Sequence, residues 1–135
     1  MALIQWSDSF SVDVAEIDMQ HRRLIDMINE LNEAMRQGKG NDQLGDTVRG
    51  LYGYAALHFN TEEKYFDTFG YPAAAAHKKE HADFTEKVAE FRDGFEKGRV
   101  GLTVQVLNFL SQWLQNHIQG SDRQYGPFFN RKGLH

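Results

Sequence analysis

Residues 72–97 read PAAAAHKKEHADFTEKVAEFRDGFEK. Within them Ala74, His77, His81, Phe84, Val88, Phe91 and Phe95 recur at alternating steps of three and four, the spacing that lines one face of an α-helix. Pro72 stands at the first turn, where its missing N–H is tolerated, and Gly98 and Gly101 close the stretch. The stripe predicts a helix from about Pro72 to Lys97. Two histidines share its inward face. One histidine on such a face is ordinarily a core residue with a hydrogen-bond partner. A pair at i and i+4 projects two rings from one side, about 5–6 Å apart.

Three further helices follow from the same periodicity. Before Pro72, the segment from about Asp42 to Phe69 carries Leu44, Val48, Leu51, Tyr52, Ala55, Phe59 and Phe66, with His58 and Glu62 in line, and Gly70-Tyr71-Pro72 ends it. The first helix spans about Asp18 to Arg36, with Asp18 as its N-cap. Its stripe is Leu24, Ile25, Ile28, Leu31 and Met35, with His21 upon it, and Gly38 and Gly40 mark the break. The fourth runs from about Leu102 to Ile118, with Val106, Leu107, Leu110, Trp113, Leu114 and His117 facing inward, and is interrupted at Gly120. Residues 1–18 form an N-terminal arm anchored by Ile4, Trp6, Phe10 and Val12. Residues 119–135 form a C-terminal tail that includes Tyr125, Phe128 and Phe129. No useful strand-like alternation occurs. The expectation is an all-α chain, one domain over 1–135, with an antiparallel up-down-up-down four-helix bundle over 18–118.

Composition bounds the chemistry. The chain has 135 residues, 41% of them hydrophobic, and a formal net charge of −4, which disfavours a nucleic-acid partner. It has no cysteine, which removes disulfides, thiolate zinc sites, thiolate-ligated haem and ordinary iron–sulfur clusters. The start, MALIQWSDSF, has neither a basic nor an apolar leader region, and no apolar run approaches the roughly 18–20 residues of a membrane span. A cytoplasmic protein with no membrane insertion is expected.

The bundle topology turns the polar residues into a constellation. In an up-down-up-down arrangement the start of the first helix, the end of the second, the start of the third and the end of the fourth share one end. His21, His58, Glu62, His77, His81, His117 and Asp122 all fall there. Burying one such group is costly unless it is paired or ligated, and seven at one level point to metal, and to more than one ion. Five imidazoles and two carboxylates suit two ions bridged by both carboxylates and by a solvent-derived oxo or hydroxo group. Three histidines then complete six-coordination on one ion, and two leave the other with an open position for a small ligand. Imidazole with carboxylate fits iron, manganese, zinc or nickel; zinc usually takes four ligands, so six-coordination favours iron or manganese. The set is richer in histidine than the Glu-x-x-His pattern of ferritin-like di-iron sites, which leans toward binding dioxygen rather than splitting it. His117 and Asp122 are five apart, so a regular α-helix would aim them about 140° from each other. Either the helix ends at Gly120 or a π-type turn near Gly120-Ser121 swings Asp122 back.

The blocks DMQH (18–21), HFNTEE (58–63), HKKEH (77–81) and HIQGSD (117–122) resemble those of hemerythrins, in particular the bacterial branch. The opening IQWSDSFSVDVAEIDMQH and the closing YGPFF are similar as well, so the likeness spans nearly the whole chain. The resemblance implies a four-helix bundle with a non-haem centre of two Fe ions that binds dioxygen reversibly. It implies that His77, His81 and His117 saturate one iron, that His21 and His58 hold the iron that takes oxygen, and that Glu62 and Asp122 bridge.

Several residues near the site carry weaker signals. Glu63 turns about 100° away from Glu62 and is expected in solvent or behind a ligand. Glu80 is expected at the surface, and His135 is a terminal bystander. Trp113, Phe59, Ile118 and Leu114 either wall an oxygen pocket or simply fill the core, and Tyr52 and Tyr125 are equally open between core and site. An oxygen carrier, store or sensor is the leading reading, not an enzyme. The chain's end at residue 135 favours a diffusible carrier over a fused sensor. Dioxygen is the ligand, and an electron donor or oxygen-consuming enzyme is the corresponding protein partner. A di-iron peroxidase, oxidase or nitric-oxide-handling enzyme is the second reading, and iron storage or detoxification the third.

Overall fold

A computed structural model describes residues 3–98 and 101–135. After a short 3₁₀ turn at Asp8–Phe10 come α1 (Ala15–Arg36), α2 (Gly40–Phe69), α3 (Ala74–Glu96) and α4 (Leu102–Asn116). A π-helical segment, His117–Asp122, continues α4 and leads directly into α5 (Arg123–Arg131). α1 packs on α2 and α4, and α3 packs on α2 and α4, so the four long helices close into an antiparallel bundle. The first two residues of the arm, and residues 99–100 before α4, lie outside the described residues.

Helix limits follow local chemistry. Gly70 takes a left-handed φ of 69° after α2, and the Tyr71 N–H returns to the Phe66 carbonyl at 3.0 Å. That C-terminal closure suits a residue without a Cβ. The start of α1 differs from the sequence reading. Its N-cap is Val14, and Asp18 lies one turn inside the helix. The Asp18 carboxylate instead accepts from the Val12 N–H at 2.9 Å and the Ser11 hydroxyl at 2.6 Å. It thus ties the arm to α1 and satisfies backbone the arm would otherwise leave open.

The apolar core is split in two. The larger cluster fills the length of the bundle, from Leu44 and Leu102 to Phe59, Phe84 and Ile118. The smaller one caps the other end with Val12, Val14, Ile17, Phe66, Tyr125 and Phe129. Along three of the helical stretches the polar residues fall between them: His21 separates Ile17 from Leu24, Glu62 separates Phe59 from Phe66, and Asp122 separates Ile118 from Tyr125. The C-terminal segment read as a tail is helical and completes this cap. Tyr125 and Phe129 are fully buried, and a Cβ on Gly126 would stand 2.6 Å from the Val12 carbonyl oxygen. Glycine there lets α5 seat against the arm.

Candidate metal centre

Four backbone segments deliver the seven polar residues. α1 supplies His21, α2 supplies His58 and Glu62, and α3 supplies His77 and His81. The π-helical segment supplies both His117 and Asp122. Its i→i+5 hydrogen bonding brings residues five apart onto one face, which is the local distortion that the spacing requires. All seven are buried, none more than 3% exposed.

They fall into two overlapping groups. One comprises Glu62, His77, His81, His117 and Asp122; the other comprises His21, His58, Glu62 and Asp122. In each group the potential ligand atoms lie within 4.8 Å of one another. The carboxylates belong to both. Asp122 Oδ1 lies 2.7 Å from His77 Nε2 and 2.9 Å from His117 Nε2, while its Oδ2 lies 2.9 Å from His21 Nε2. Glu62 Oε1 lies 2.8 Å from His58 Nε2 and 3.4 Å from His81 Nε2, and its Oε2 lies 3.7 Å from His77 Nε2.

Short distances here do not make hydrogen bonds. The Nε2 atoms of His21, His77, His81 and His117, and all four oxygens of Glu62 and Asp122, are buried without a partner of acceptable geometry. These atoms nonetheless crowd together, within 4.8 Å of one another in each group. Buried polar atoms are nearly always satisfied, so this many unpartnered atoms so close together fit cations bound between them. The donor set, imidazole with carboxylate, is also one that transition-metal ions accept.

The outer nitrogens have protein partners. His58 Nδ1 donates to the Gln20 amide oxygen at 2.6 Å, His81 Nδ1 to Glu63 at 2.9 Å and His117 Nδ1 to Glu80 at 2.9 Å. These bonds fix which nitrogen faces inward. Glu63 therefore stands behind a histidine, one of its two expected places. Glu80, expected at the surface, reaches back to the centre as well, and Gln20 had no distinguishing signal in the sequence. Phe59 stacks on the His81 ring, 3.9 Å between centroids and 9° between planes, and Trp113 stacks on His117 at 4.3 Å and 16°. Leu114 and Ile118 are buried in the larger cluster. Tyr125 is fully buried with an unpartnered hydroxyl, whereas Tyr52 is exposed.

A family profile described as the hemerythrin HHE cation binding domain matches residues 12–129. The chain belongs to the hemerythrin family. It is 38% identical over 125 residues to a bacteriohemerythrin of Stenotrophomonas maltophilia, covering 93% of this chain and 80% of the relative. A bacteriohemerythrin of Methylococcus capsulatus is 33% identical over 128 residues, covering 94% of this chain and 97% of its own. Among solved structures, wild-type hemerythrin matches with a TM-score of 0.86 at 32% identity, over 93% of this chain and 97% of that one. The four-helix hemerythrin fold thus agrees with the bundle read from periodicity.

Electrostatics follow from burial opposed by close charges. Burial and the nearby Asp122 raise the Glu62 pKa, but the close His58 and His81 imidazoles outweigh them and hold the carboxyl below its usual range. Asp122 is likewise held well below, with His117 the main charge opposing desolvation and with His21 and His77 adding to it. His117 moves the other way: burial lowers it, yet Asp122, Glu62 and Glu80 carry it up to about 9. Without a cation, His117 would therefore stay protonated at neutral pH.

Proposed function

We propose that this hemerythrin-family chain, as one domain over residues 1–135, binds dioxygen reversibly at a non-haem di-iron centre and acts as an oxygen carrier, store or sensor. His77, His81 and His117 would hold one iron, His21 and His58 the other, with Glu62 and Asp122 shared and an oxo or hydroxo group as the third bridge. The observation that carries the reading is the set of buried, unpartnered atoms in two groups that overlap only at the two carboxylates. An arrangement of five histidines in a three-to-two division leaves one metal with fewer protein ligands than the other. A bound iron pair supplies the two electrons that dioxygen needs for reversible capture. The chain's part is to fix unequal ligand numbers, to orient each imidazole through its outer nitrogen and to keep bulk water away. Phe59 and Trp113 serve the last role by lying flat on two of the rings.

Anaerobic loading with ferrous iron, an iron count and a visible spectrum through an oxygen-on, oxygen-off cycle test this. Two irons per chain and a charge-transfer band that comes and goes with oxygen are expected. Two irons with irreversible oxidation would replace the carrier reading with a redox enzyme. Binding well beyond two irons would favour storage.

A further inference from the structure

The π-helical segment has to be held. Such turns are rare, and this one decides where Asp122 points. In regular α-helical register, Asp122 would rotate about 140° from His117 and leave the centre. A single side chain from another helix grips the segment at two points. Glu80, on α3 between His77 and His81, accepts from His117 Nδ1 at 2.9 Å through Oε1. The Ser121 hydroxyl lies 2.7 Å from Glu80 Oε1 and 2.8 Å from Oε2. His117 and Ser121 lie at opposite ends of the stretch that carries the extra residue. Both carboxylate oxygens are engaged in these bonds, and the Glu80 side chain is 42% exposed, so it stands behind the centre rather than in it.

We propose that Glu80, acting with Ser121, is a positioning residue that clamps residues 117–122 in π register and thereby sets Asp122 between the two halves of the metal centre. This deepens the di-iron reading and rests on it. Asp122 touches both halves, with Oδ1 at His77 and His117 and Oδ2 at His21. Releasing the clamp therefore affects the halves unequally. The three-histidine group keeps His77, His81, His117 and Glu62. The other keeps only His21, His58 and Glu62. Loss of the clamp should cost the second metal far more than the first.

Anaerobic titration of the chelator-stripped full chain with cobalt(II), followed by its visible spectrum, reads both steps. Wild type should take two cobalt ions. Glu80→Ala should weaken the first step by about tenfold, because His117 loses its outer partner, and should weaken the second step by roughly a further tenfold or more, because Asp122 is released. Ser121→Ala, a milder change outside the ligand set, should shift the second step in the same direction. Ser121→Thr, which keeps the hydroxyl, should restore it. Thermal melts of the stripped variants separate this from general loosening. Equal weakening of both steps in parallel with a lower Tm overturns the proposal, as does two-step binding at wild-type affinity in both alanine variants. A wild-type chain that takes fewer than two cobalt ions overturns the di-metal reading itself.

Discussion

The two halves of the centre share their carboxylates and differ in nearly everything behind them. On the three-histidine side, His81 and His117 donate outward to the carboxylates of Glu63 and Glu80, and their faces are covered by Phe59 and Trp113. Those carboxylates are 30% and 42% exposed, so this half is braced by charge close to solvent. On the two-histidine side, His58 donates to the neutral amide of Gln20, and His21 is fully buried with its outer nitrogen unpartnered among the described residues. An anionic acceptor makes an imidazole a stronger ligand than an amide does. In the di-iron reading proposed above, one half would hold its ion firmly and the other would leave its ion open to a small exogenous ligand.

The bluntest way to break the comparison is to remove what the halves share. Glu62→Ala should abolish stoichiometric iron retention, since each half loses a ligand. The metal-linked stabilisation should go with it, about 3–4 kcal/mol at an excess of several hundred times Kd. An iron count and melts with and without metal check this. Retention of two irons at full stability would remove Glu62 from the centre.

Sharper tests touch one half each. Glu63→Gln should weaken metal binding at the three-histidine group by about tenfold, and Gln20→Leu should do the same at the other. Two-step cobalt titrations should show each variant moving a different step. If both variants move both steps equally, the halves are not energetically separate.

Protons supply a third test, on the stripped protein. The folded His117 pKa of about 9 lies above its ordinary 6.5, so its contribution to stability is full below about pH 6.5 and is lost as pH rises through 9. Glu62 and Asp122 sit below their ordinary 4.5 and 3.8, so their contribution is present above those values and is lost as pH falls. Urea denaturation of the stripped chain from pH 4 to 10 should therefore show stability declining on the alkaline side. In the loaded protein a cation replaces the His117 proton and that decline should vanish. The smallest effect belongs to Tyr125. Burial and the charges of Asp122 and Glu62 push its hydroxyl well above the usual phenol range, and it lies near Glu62 without a hydrogen bond of good geometry. Tyr125→Phe should leave the stripped protein as stable as before or about 1 kcal/mol more stable. A loss in the loaded protein alone would mean that the hydroxyl finds a partner when metal binds.

Legibility from sequence divides along a physical line. Helix periodicity and the breaks at Gly38, Gly70-Tyr71-Pro72 and Gly98 were visible because they are local. The convergence of seven polar groups was visible because antiparallel topology follows from short connections. The His117–Asp122 spacing announced that the helix either ends at Gly120 or is distorted there, since a regular α-helix would aim the two side chains apart. Glu80 was not visible as a partner of the centre. It lies one position off the inward stripe of α3, and only the packing of α3 against the end of α4 turns it to His117 and Ser121. Gln20 was hidden for the same reason, one residue from His21 with no spacing to distinguish it. The helical form of residues 123–131 was masked by Gly120, Gly126 and Pro127, which read locally as breakers. Contacts distant in sequence override them: Phe129 and Tyr125 pack into the cap, and Gly126 lies against the arm. The sequence by itself determined the helices, the bundle and the inward-facing polar set, because those depend on periodicity along one chain. Tertiary structure alone decided which side chains stand behind each histidine and how the π-helical segment is gripped, because those contacts cross between helices whose rotation no single helix encodes.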